Sequence, residues 1–135
     1  MAERMTIQAN WGFYDFVLKS GVSAERGNIA VIDTADGSVT NAGPGTGLVP
    51  IGIFQRSVTG DGVVTVQVKL WFELRAYWYD NDAAGTPVVI AKRGQLCYLK
   101  DAHTVTSVAT GSPAGMVLDV NTSKGVLVLF GYKTF

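Results

Sequence analysis

From position 64 the chain alternates: Val64, Val66, Val68, Leu70, Phe72 and Leu74 share one parity, and Thr65, Gln67, Lys69, Glu73 and Arg75 share the other. Successive side chains of a strand point to opposite faces, so the run predicts a half-buried antiparallel strand over 64–74 with its even positions inward. Trp71 breaks the polar parity and places an aromatic on the outer face, where it is expected near a subunit contact. Shorter runs bounded by Gly, Asp, Asn or Pro predict strands over 13–19, 28–33, 38–40, 50–57, 87–91, 95–100, 104–108, 114–120 and 125–132. No window of helical length repeats apolar residues at i, i+3, i+4 and i+7, and 16 glycines punctuate the chain. The pattern predicts an all-β protein, a compact sandwich, jelly roll or barrel of about ten short antiparallel strands. Residues 1–12 lack sustained alternation and carry Glu3, Arg4 and Gln8, so an extended N-terminal arm is expected ahead of a single β domain over 13–135.

The pattern also repeats. Pro50-Ile51-Gly52-Ile53, then Thr59 and Gly62-Val63-Val64, returns 63 positions later as Pro113-Ala114-Gly115-Met116, Thr122 and Gly125-Val126-Leu127. Upstream, Ile32-Asp33-Thr34-Ala35 leading to Val39-Thr40 aligns, with one gap, with Leu99-Lys100-Asp101-Ala102 leading to Val105-Thr106. Two copies of one strand unit are expected, each supplying strands that close the other's open edge.

Composition narrows the functional classes. With 135 residues the chain fits one domain and one core without disulfides. Apolar residues make up 47% and charged residues 16%, low for a soluble domain, which suggests a surface that something covers. Lys plus Arg and Asp plus Glu balance at 11 each, so no net field favours a polyanion or an anionic membrane, and neither nucleic acid nor membrane is an expected partner. The first ten residues lack the apolar core of a signal peptide, and synthesis in a reducing cytoplasm is expected.

Candidate chemistry is sparse. His103, the only histidine, sits in a turn sequence, and Cys97 in an alternating run reads as a half-buried thiol rather than a nucleophile. One His and one Cys do not make a zinc site. Asp80-Asn81-Asp82-Ala83-Ala84-Gly85 resembles the start of a calcium loop, but Ala84 stands where an oxygen ligand is wanted, so an Asx turn is expected. Gly43-Pro44-Gly45-Thr46-Gly47 lacks the Lys and helix of a phosphate cradle and reads as a flexible loop. The other turn aspartates mark no catalytic pair, and no catalytic residue, metal or cofactor is expected. Aromatics cluster at Trp11, Phe13, Tyr14 and Phe16 and again at Trp71, Phe72, Tyr77, Trp78 and Tyr79. Core packing, protein contact and sugar stacking all use such residues; Trp11, Phe13, Tyr14, Trp71, Tyr77, Trp78 and Tyr79 are the interface candidates.

Three segments in order, Pro50-Ile51-Gly52-Ile53 before Gly60-Asp61-Gly62 and Val63 to Val68, Arg93 to Tyr98 before Thr104-Val105-Thr106, and Pro113 to Leu118 before Gly125 to Val128, resemble the small capsid decoration, or cement, proteins of tailed phages. The resemblance runs from about Leu48 to Phe130; the aromatic segments at 71–79 and near the N-terminus depart from the family's pattern. It implies a non-enzymatic virion protein that binds the capsid exterior over junctions between major capsid protein subunits and self-associates as a dimer or trimer. Two other readings compete: another virion part, such as a head-tail joining or tail component, or a carbohydrate-binding β-sandwich using Trp71, Trp78 and Tyr79.

Overall fold

The computed structural model describes residues 13–70, 75–109 and 111–130. Twelve strands follow in order: β1 (Phe13–Val17), β2 (Ser23–Ala24), β3 (Ile29–Asp33), β4 (Ser38–Asn41), β5 (Leu48–Phe54), β6 (Val58–Thr59), β7 (Thr65–Leu70), β8 (Arg75–Asn81), β9 (Leu96–Leu99), β10 (Thr104–Thr106), β11 (Pro113–Asn121) and β12 (Gly125–Phe130). The protein is all-β, and the alternation at 64–70 faces as expected: Val66 and Val68 are buried while Thr65 is exposed. The predicted arm at 1–12 and the segment 71–74, with Trp11, Trp71 and Phe72, lie outside the described residues.

The strands form two five-stranded units of one topology. In the first the order is β1-β7-β5-β3-β4; in the second, β8-β12-β11-β9-β10, closed into a barrel by pairing of β10 with β8. That closing pair is parallel, Thr104 opposite Asp80 and Val105 opposite Asn81. The first unit closes at the equivalent place by a single parallel bridge, Leu18 to Val39. The Lys19 amide donates to the Val39 carbonyl there, as the Asp82 amide donates to that of Val105. The second unit adds a bond from the Asp80 amide to the His103 carbonyl. The expectation that each copy closes the other's edge is therefore corrected: each sheet curls onto itself.

Residue equivalences follow from register. Ala30 lies opposite Gly52 and Gly52 opposite Leu70, as Cys97 lies opposite Gly115 and Gly115 opposite Phe130. Both β3–β5 and β9–β11 carry an irregularity at the Pro-x-Gly of the repeat. The glycines are forced at both places: a Cβ on Gly52 would run into the Lys69 carbonyl, and one on Gly115 into that of Leu129. Tyr14 pairs with Val68 and Phe16 with Val66, while Tyr77 pairs with Val128 and Tyr79 with Val126, so Tyr14 corresponds to Tyr77 and Phe16 to Tyr79. The sequence alignment needs correction after Gly52. Val66 corresponds to Val126, not Val63, because the first copy spends extra residues on β6, which pairs with β2.

Two other expectations fail. The strand predicted at 87–91 is a loop leading into a short 3-10 turn over Ile90–Lys92. The Asn81 side chain takes both backbone groups of Val88, accepting from its amide at 2.8 Å and donating to its carbonyl at 2.8 Å, so no neighbouring strand is needed. Conversely, β8 was not predicted as a strand, because Tyr77-Trp78-Tyr79 is apolar on both faces and shows no alternation.

The core divides into two clusters instead of one. Leu18, Ala24, Ala30, Val39, Phe54, Val66 and Val68 fill the first unit. The second cluster fills the other barrel with Cys97, Leu99, Val105, Val117, Val126, Val128 and Phe130, and it includes Ile29, Val31 and Ile53 from the first unit. Ile29 and Ile53 are cross-strand neighbours on the parity opposite Ala30, hence on the outer face of the first sheet. That face lies across one end of the second barrel, its mouth, formed by Tyr77, Tyr79, Phe130, Ser112 and the turn after β9. The Ile29 amide donates to the Ala102 carbonyl at 2.9 Å, the Leu48 amide to Ser112 Oγ at 3.0 Å, and Tyr79 Oη to the Gly27 carbonyl at 2.9 Å.

Val68→Ala, which removes two fully buried methyl groups, should cost about 2 kcal/mol by transfer and cavity terms. Gly52→Ala and Gly115→Ala should each cost about 1 to 3 kcal/mol or more, because the added carbon meets backbone that cannot swing aside. Chemical denaturation of the three variants checks both statements; a neutral Gly52→Ala would contradict the close strand approach.

Candidate interaction surface

The interface candidates separate by burial. Tyr14 is 52% exposed and Trp78 36%, whereas Tyr79 is only 7% exposed. Tyr79 is thereby corrected from a contact residue to a core residue: its ring meets Phe130 edge-on at 5.2 Å and its hydroxyl is spent on Gly27. Burial also raises its hydroxyl's pKa. Tyr77 is half-buried, tilted against Phe130 at 5.9 Å. Phe13 is half-buried under Lys69 Nζ at 5.9 Å, and Tyr14 leans on Phe16 at 4.8 Å. Lys124 Nζ stands 5.5 Å from the Trp78 ring centre, a cation–π contact that still leaves part of the indole in solvent. Further exposed apolar residues are Val17, Val63, Val89 and Ile90, none singled out from the sequence as contacts. Val89 and Ile90 were hidden inside a predicted strand; their exposure follows from the loop that replaces it.

Polar candidates are occupied by backbone. The carboxylates of Asp33, Asp61, Asp101 and Asp119 accept from amides one to three residues on, which is why Asp sits at these turns. Asp36 accepts from the amide and hydroxyl of Ser38, which hold its carboxyl down at about 2. Cys97 is wholly buried in the second barrel, its Sγ donating to the Gly115 carbonyl at 3.6 Å, and burial pushes its thiol up to about 12. A thiol so protonated is no nucleophile. His103 lies on an exposed turn with Nδ1 3.0 Å from Asp80 Oδ2. The Gly43–Gly47 segment, expected to be a flexible loop, ties the units together through the Gly45 carbonyl, which accepts from Ser112 Oγ at 3.1 Å; within the first unit the Gly47 carbonyl accepts from Thr34 Oγ1 at 2.8 Å.

The Asp80–Gly85 segment does form the expected Asx turn, Ala84 donating to Asp82 Oδ1 at 2.9 Å. Sequence reasoning missed what else Asp82 does. Only 4% exposed, it accepts from Lys100 Nζ at Oδ1 and from Thr86 and Thr106 hydroxyls at Oδ2, at 3.1 and 3.0 Å. Thr86 lies four residues on in the same loop, whereas Lys100 and Thr106 are 18 and 24 residues away and reach Asp82 at the barrel seam. The Lys100 ammonium above all, then the Ala84 amide, holds the carboxyl far below its usual range, against a smaller opposing effect of burial. At the equivalent seam of the first unit Lys19 holds the place of Asp82 and pairs with Asp36, from the turn after β3, at 3.4 Å. Among the described residues no group of three or more His, Cys, Asp or Glu is placed to hold a metal.

Comparison of the chain with family models, with curated proteins and with solved structures finds no match in any of the three.

Asp82 generates a pH prediction. Its folded pKa lies below the unfolded value of about 3.9, so its contribution is full above that value and lost as pH falls further. Asp36, Asp61 and Asp101 act in the same direction. The melting temperature should therefore fall as pH drops from 5 toward 2. Asp82→Asn should melt lower at pH 7 and show a shallower fall; thermal melts across that range, with an unchanged slope in the variant, would remove Asp82 from this role.

Proposed function

We propose that this chain is a non-enzymatic structural protein that binds the outer surface of a tailed-phage head and stabilises contacts between its major capsid protein subunits. The observation that carries the reading is the contrast between two kinds of surface residue. Most turn carboxylates are satisfied by backbone or by one neighbour, while Tyr14, Val17, Val63, Trp78, Val89 and Ile90 stand exposed. Aromatic and aliphatic side chains on a stiff barrel framework suit protein recognition, since little side-chain entropy is lost on docking. Repetition over a shell would multiply a modest contact. The low charge and the ordered segments resembling capsid cement proteins favour a capsid as the partner. Such a protein resides on the virion exterior and is made in the host cytoplasm. The carbohydrate-binding reading is weakened, because Tyr79 cannot serve as a stacking platform beside Trp78.

The purified protein should add stoichiometrically to empty heads that lack it and raise the temperature at which they disrupt. Trp78→Ala should weaken that addition by tenfold or more while leaving the monomer's melt nearly unchanged, as expected of an interface anchor worth about 1.4 kcal/mol or more. EDTA should change neither property. Heads that take up no protein at any concentration would refute the proposal.

A further inference from the structure

The two units are equivalent strand for strand, yet their apolar surfaces are satisfied differently. In the second barrel the mouth residues Tyr79 and Phe130 are buried because the outer face of β3 and β5, through Ile29, Val31 and Ile53, covers them. The corresponding residues of the first unit are Phe16 and Leu70, both only half-buried, with Tyr14 beside them largely in solvent. Ile29, Val31 and Ile53 correspond by register to Leu96, Tyr98 and Met116 on the outer face of β9 and β11. The first three are buried and the second three only half-buried. Among the described residues the chain thus contains a mouth and a face that cover each other, and a less covered copy of each.

We propose that these less covered copies meet between molecules: the outer β9–β11 face of one chain, through Leu96, Tyr98 and Met116, seats on the mouth of the first unit, at Tyr14, Phe16 and Leu70, of a second copy of this chain. The occupant is identified by continuity. The contact repeats between chains the packing that already joins the two units within one, so shape and chemistry match for the same reason. Tyr14 would be covered as its counterpart Tyr77 is partly covered, and Met116 as its counterpart Ile53 is. Such a contact joins unlike surfaces, so it propagates from copy to copy and closes into a ring where the rotation permits. It stands apart from the capsid reading and holds or fails without any head present.

Light scattering over a concentration series tests it on the full chain. The wild type should show a mass that is a multiple of the single chain. Tyr14→Asp, which spoils the mouth, and Met116→Glu, which spoils the face, should each be folded by circular dichroism and single-chain. Because the two surfaces differ, mixing the two variants should restore one intact contact and yield a two-chain species that grows no further. A like-with-like interface would give no rescue on mixing, and that result overturns the proposal. So does a wild type that stays single-chain at every concentration.

Discussion

Burial of Ile29, Val31 and Ile53 against the mouth of the second barrel is the contact on which the rest of the molecule depends. A barrel of five short strands has little interior, and a unit of roughly sixty residues is marginal alone because so much of its surface stays in water. Lending the outer face of one unit to the open end of the other enlarges the second barrel's core without a third layer. The hydrogen bonds across the junction, from Ile29 to Ala102, Leu48 to Ser112 and Tyr79 to Gly27, satisfy polar groups that this burial would otherwise strand.

The same constraint accounts for the differences between the copies. The second barrel is closed by two residue pairs and buttressed by Asp82, Thr86, Lys100 and Thr106, whereas one bridge and an exposed Lys19–Asp36 pair hold the first. Its equivalent mouth aromatics are correspondingly less covered. Both units keep what backbone sterics require, the Pro-x-Gly at Pro50 and Pro113, and differ in the ion pair at the seam. An ion pair can be supplied from different positions, while a Cβ on Gly52 or Gly115 would run into backbone.

Much of this was legible in the sequence, and for identifiable reasons. Alternation exposes strands with one wet face, so β7 and its facing were clear; β8, flanked by core on one side and carrying Trp78 on the other, has no such signal. The repeat was visible at Pro-x-Gly because a steric requirement fixes residue type, but the β6 excursion shifted the alignment beyond it. Tyr79 looked like a contact residue because sequence cannot tell which side of an aromatic strand a second unit will cover. The Asp82 cluster was illegible because Lys100 and Thr106, 18 and 24 residues away, meet it only once the parallel seam forms. Chemistry that depends on closure is written in topology, not in a local motif.

Hydrogen exchange in an Ile29→Ala, Ile53→Ala double variant tests the shared core most directly. Neither residue belongs to the second barrel's strands, so a self-sufficient barrel would not notice their truncation. The shared-core account predicts that amides of β8 and β12 lose protection together with those of β3 and β5, because exchange from the second barrel then proceeds by opening the joint core. Wild-type protection retained throughout β8 and β12, with losses confined to β3 and β5, would contradict it.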